Sequence, residues 1–63
     1  MKGKIKFFNR VKGFGFIISD EDDKEYFVHY SDVENNIELA ENDSVVFEVE
    51  EGDRGPKAVK VSK

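Results

Sequence analysis

Six ring-bearing side chains fall in two short runs, Lys12-Gly13-Phe14-Gly15-Phe16-Ile17 and Glu25-Tyr26-Phe27-Val28-His29-Tyr30. Flat rings spaced two apart stack well on other flat rings, and unpaired nucleobases are what a ring surface edged by lysine holds. The same stretch also supplies the residue types of a nucleophilic relay in His29, Ser31 and Asp32. Neighbours on one extended strand do not form such a relay, and no oxyanion hole is evident, so no catalytic residue is assigned and the chain is read as a non-enzyme. Residues 20 to 31 resemble a calcium loop only superficially: Glu25 stands where the sixth-position glycine belongs and Ser31 where the bidentate glutamate belongs, so no metal site is assigned. Gly13 and Gly15 do not make a phosphate-cradling loop, which needs different spacing and a helix after it.

The rings depend on strands for their position. Side chains alternate between the faces of a strand, so Phe14 and Phe16 share one face while Gly13, Gly15 and Ile17 share the other. In the second run Phe27 and His29 lie together, with Tyr26 and Val28 opposite. If Ile17 and Val28 face the core, the phenylalanines and the histidine face water, an exposure that a small protein tolerates only when the surface has a use. The two glycines on one face predict a strongly coiled strand, running from about Lys12 to Ser19, that wraps round a small barrel.

The remaining segments supply further strands. Lys2 to Asn9 is the first, with Ile5 inward and Lys4 and Lys6 outward. Strict alternation from Ile5 puts Phe7 inward and its neighbour Phe8 outward, and a bulge would reverse that parity. Asn9 to Lys12 is a turn, residues 20 to 24 an acidic loop, and Glu34 to Asn42 a polar loop with Ile37 and Leu39 plugging the barrel end. Val45, Phe47 and Val49 alternate inward along a fourth strand. Residues 51 to 56 form a turn, and Val59 and Val61 alternate with Ala58 and Lys60 in a fifth strand. Five short strands, with no long helix and no repeat, predict an all-β, five-stranded Greek-key antiparallel barrel of the OB type, a single domain over residues 1–63.

Composition narrows the function classes. Sixty-three residues without cysteine have neither disulfides nor thiolate metal ligands, and marginal stability is expected. No apolar run reaches the length of a signal peptide or a membrane span, which predicts a soluble cytoplasmic protein with no membrane partner. The formal net charge of -4 argues against a nucleic-acid partner until its distribution is considered. All 14 acids lie between Asp20 and Asp53, whereas residues 1–19 carry Lys2, Lys4, Lys6, Arg10 and Lys12 and residues 54–63 carry Arg54, Lys57, Lys60 and Lys63, with no acid in either. That segregation predicts one face that attracts phosphate and others that repel it.

The Lys12 to Ile17 hexad followed by Phe27-Val28-His29, with Gly3-Lys4-Ile5-Lys6-Phe7-Phe8-Asn9 before and Arg54-Gly55-Pro56-Lys57-Ala58 after, resembles the cold-shock domain across essentially the whole chain. The hexad is shared with the RNA recognition motif, but that pattern ends on a further aromatic where this chain has Ser19, and that fold needs two packed helices. The resemblance implies single-stranded RNA or DNA as partner, with Phe7, Phe14, Phe16, Phe27, His29 and Tyr30 contacting bases and Lys6, Lys12 and Arg54 meeting phosphates or base edges. It places Phe7 on the binding face, where the family usually has tryptophan, and so favours the bulge, leaving Phe8 wholly or partly in the core. The further aromatic that the family carries in the loop after the third strand has no counterpart in residues 34 to 42. The implied role is an RNA chaperone, active in cold adaptation, working as a monomer without cofactor or small-molecule substrate. The rival reading is a module that grips a peptide on the same aromatic surface.

Overall fold

The computed structural model describes residues 1–34, 37–53 and 55–63. Its elements are β1 (Lys2–Asn9), β2 (Phe14–Ser19), β3 (Glu25–His29), a 3-10 turn (Tyr30–Asp32), β4 (Ser44–Gly52) and β5 (Gly55–Ser62). They close in the order β1-β2-β3-β5-β4, with β4 returning to β1, giving the all-β five-stranded barrel of the OB type that the strand pattern predicts. Neighbours run antiparallel except β3 and β5, which meet in parallel at Phe27 and Lys57.

Ile5, Ile17, Tyr26, Val28, Leu39, Val45, Phe47, Ala58 and Val61 fill the interior. Each large apolar member removed from water contributes about 1.5 to 3 kcal/mol, which is how so short a chain offsets its ordering entropy. Ile37 packs against this cluster and Leu39 lies within it, as expected of plugs at the barrel end. Tyr26 sits tilted against Phe47, with ring centroids 5.7 Å apart, and its hydroxyl donates to Asp22 at 2.9 Å. The backbone N–H of Lys24 and that hydroxyl hold the Asp22 carboxyl below its ordinary value of 3.8, so the acidic loop is tied to the core residue beneath it.

Two strands reverse their parity, each by one extra residue. On β1, Ile5 opposes Ile17 and Phe7 opposes Phe16, so Lys6 is the bulged residue and Phe7 emerges on the outer face. Phe8 then turns inward over Gly15, where an added Cβ would lie 2.7 Å from its ring and collide with the Phe7 carbonyl. On β5, Val46 pairs with Ser62 and Glu48 with Val59, leaving one residue over, and Lys60 takes a left-handed φ of 52°. The expected alternation of Val59 and Val61 with Ala58 and Lys60 is therefore corrected: Ala58 and Val61, three positions apart, are both fully buried, and Val59 is only half-buried.

Three further expectations are corrected. Val49 is 39% exposed, because β1 pairs with β4 only from Ser44 to Val46 and beyond that β4 keeps β5 alone as its neighbour. The second strand begins at Phe14, not Lys12: Gly13 has a φ of +76° and its N–H closes the turn onto the Asn9 carbonyl at 2.7 Å, so Gly13 and Gly15 do not share a strand face. Tyr30 leaves the third strand and opens the 3-10 turn, its N–H donating to the Gly13 carbonyl at 2.8 Å.

Candidate nucleic-acid interface

Antiparallel register across β1, β2 and β3 gathers the outward rings. Phe7 lies opposite Phe16, Phe16 opposite Phe27, and Phe14 opposite His29. The four phenylalanines make a closed quadrilateral, with centroid separations of 5.6 Å for Phe7–Phe16, 5.9 Å for Phe16–Phe27, 5.9 Å for Phe27–Phe14 and 6.1 Å for Phe14–Phe7. Phe14 and Phe27 are stacked with planes 22° apart, whereas Phe7 meets Phe14 and Phe16 meets Phe27 edge to face. Each ring packs against its neighbours and is half-buried or just exposed, so the rings form one continuous aromatic surface.

His29 and Tyr30 extend the surface as a second pair, with ring centroids 5.2 Å apart. Tyr30 is 59% exposed, and its ring covers Gly13, where a Cβ would lie 2.9 Å from Tyr30 Cδ1. The 3-10 turn therefore presents Tyr30 at the rim of the sheet and not in its row.

The cations are spread round the rim. Lys6, displaced outward by its own bulge, bonds Glu25 Oε1 through Nζ at 2.8 Å across β2. Lys12 is exposed in the turn that Asn9 Oδ1 organises by accepting the N–H groups of Val11 and Lys12, each at 3.0 Å. Beside it a groove of about 300 Å³ runs from Val11 and Lys12 past Tyr30 to Ile37 and Leu39. Arg54 lies outside the described residues.

Of the predicted residues, Phe7, Phe14, Phe16, Phe27 and His29 share one face, Tyr30, Lys6 and Lys12 border it, and Lys6 is already engaged by a carboxylate. Three neighbours went unassigned. Ile18 has the parity of Phe14 and Phe16 and sits outward between Lys4 and Glu25, a position that alternation alone would have revealed. Val11, 96% exposed at the turn tip, is an apolar residue that only its place in a polar turn could flag. Lys57 reaches Phe27 through the parallel β3–β5 contact and lines a cleft of about 220 Å³ with Gly52, Asp53, Gly55 and Pro56; no local signal announces that pairing.

The comparisons with known proteins point the same way as the ring surface. The family described as the 'Cold-shock' DNA-binding domain matches residues 1–63. Cold shock-like protein CspE of Buchnera aphidicola is 48% identical over 63 residues, covering 97% of this chain and 91% of that protein. Cold shock-like protein CspC of Escherichia coli is 45% identical over 64 residues, covering 98% and 93%. The chain therefore belongs to the cold-shock DNA-binding domain family.

Proposed function

We propose that this chain binds single-stranded RNA or DNA on the outer face of β1, β2 and β3, with low sequence specificity, and acts as an RNA chaperone. The observation that carries the reading is the quadrilateral of Phe7, Phe14, Phe16 and Phe27 held on the outside of a barrel whose interior is already filled. Bases stack on these rings and on His29 and Tyr30, while Lys6, Lys12 and Arg54 meet the backbone, Lys6 exchanging Glu25 for phosphate. Each stacked base contributes about 1 to 3 kcal/mol, and a duplex step is worth about 1.4 kcal/mol in DNA. Capture of strands that open spontaneously therefore drains weak hairpins without ATP and leaves long duplexes intact. The protein works as a cytoplasmic monomer.

Titration with short oligonucleotides of each base composition, repeated across salt concentrations, tests this. Three phosphate contacts at about 0.7 each give a logarithmic salt slope near -2. A slope of zero, with binding of apolar peptides in its place, would favour the peptide-gripping rival.

A further inference from the structure

Beyond Val46 the last backbone bonds between β4 and the β1 side join Phe47 to Met1: the Phe47 N–H donates to the Met1 carbonyl at 2.8 Å, and the Met1 amine donates to the Phe47 carbonyl at 2.7 Å. From there β4 runs on to Gly52 with a strand on one side only. Backbone groups alternate between the two sides of a strand, so Val49 and Glu51, which share the parity of Phe47, turn their N–H and C=O groups away from β5. Among the described residues nothing bonds to them. The edge left open lies between the two outer faces. Its side chains are Glu48 and Glu50 on one side of the strand and Val49 and Glu51 on the other, all exposed. Glu48 shares a weak exposed pair with Lys60 at 3.8 Å, and neither Glu50 nor Glu51 has an ion-pair partner among the described residues.

We propose that this open edge of β4 takes an extended basic segment of another protein as an added strand, with lysine or arginine opposite Glu48, Glu50 and Glu51 and an apolar residue opposite Val49. Main-chain bonds to an open edge are available to any extended chain, and the side chains along it decide which chain pairs. A second copy is turned away by its own charge, because antiparallel pairing of two β4 edges brings the three glutamates of each copy together, and like charges across strands destabilise. Glutamates on an edge also act as guards against unwanted pairing. Here the guard is selective: it excludes this chain and other acidic strands, and it attracts a basic one, to which Val49 adds an apolar contact. The inference goes beyond nucleic-acid binding and does not depend on it, since the ring surface and this edge are separate.

The test is a titration of the full chain at low salt, followed through its backbone amides, with a short capped peptide that carries arginine opposite each of the three glutamates and valine opposite Val49. The expected result is saturable shifts and slowed hydrogen exchange at the Val49 and Glu51 amides, while the Glu48 and Glu50 amides, which face β5, keep their exchange rates. A peptide with glutamate in place of each arginine should not bind. N-methylation of one alternate set of peptide amides, the set facing the edge, should weaken binding about 5-fold or more, and methylation of the other set should not. Replacing Glu48, Glu50 and Glu51 together by glutamine should weaken it about 3-fold or more with the denaturation midpoint retained. No saturable shift at Val49 and Glu51, equal binding of the acidic peptide, or equal effects of the two methylation sets overturns the proposal. So do shifts centred on Phe14 and Phe27, which place the peptide on the rings. Shifts of the Val49 and Glu51 amides that grow with the concentration of the protein alone assign the edge to a second copy and overturn the basic partner.

Discussion

The two outer faces of this barrel are built on one interior and could hardly differ more. Across β1, β2 and β3 the outward positions hold Phe7, Phe14, Phe16, Ile18, Phe27 and His29, with lysine at the rim. Across β4 and β5 they hold Val46, Glu48, Glu50, Val59 and Lys60, with Lys60 Nζ 3.8 Å from Glu48 Oε2. Both halves contribute inward residues to the same core, Ile5, Ile17 and Val28 from one and Val45, Phe47, Ala58 and Val61 from the other. The interior therefore explains the fold of both halves and the function of neither. What separates them is outward chemistry: rings and cations where a strand would lie, acids where a polyanion would be repelled.

That division predicts a hierarchy of mutational effects. The largest should come from the shared interior. Phe47→Ala should cost about 3 to 5 kcal/mol of stability, enough to unfold much of a domain this small, measured as the denaturant midpoint. Phe14→Ala and Phe27→Ala should come next, each losing about 1 to 3 kcal/mol of oligonucleotide affinity while the domain stays folded. On the acidic face, Glu50→Gln should leave affinity within about twofold at moderate salt, because salt weakens the field of an exposed charge. Equal losses from Phe27→Ala and Glu50→Gln would erase the distinction between the faces.

The two bulges show what could be foreseen from the sequence. Phe7 and Phe8 are adjacent and cannot both point one way, so the conflict itself signalled a parity change, and the resemblance decided its direction; the bulge at Lys6 resolves it. Ala58, Val59 and Val61 raise no such conflict, since every member is apolar and alternation from Val61 looks satisfactory. The shift there depends on the left-handed backbone of Lys60, a residue that gives no warning of it. Ring parity on β2 and β3 was legible because Phe, Gly and Ile differ so sharply in what they do at a surface. Lys57 was not, because its contact with Phe27 arises from a parallel closure between strands far apart in sequence.

Smaller effects sharpen the comparison. The Asp43 carboxyl is held below its ordinary value of 3.8 by the Lys63 ammonium at 2.9 Å and the Ala40 N–H, and Asp22 is lowered likewise by its loop. A carboxyl whose folded value is depressed stabilises fully above the unfolded value and loses that contribution as pH falls through the folded one. Stability should thus decline below about pH 4, and Asp22→Asn and Asp43→Asn should each flatten that decline in acid unfolding curves. Lys60→Gly should have the smallest effect, a gain of up to about 1 kcal/mol from relief of the left-handed backbone, set against a weak exposed ion pair. A clear loss of stability there would mean that the bulge does not strain its lysine.

The central claim, that one face binds and the other does not, is tested most directly by following backbone amide resonances during titration with a short single-stranded oligonucleotide. The account predicts large shifts along Phe7, Phe14 to Ile18 and Phe27 to Tyr30, with Val46 to Glu50 unmoved. Shifts centred on Val46 to Glu50, with the phenylalanine strands silent, would contradict it.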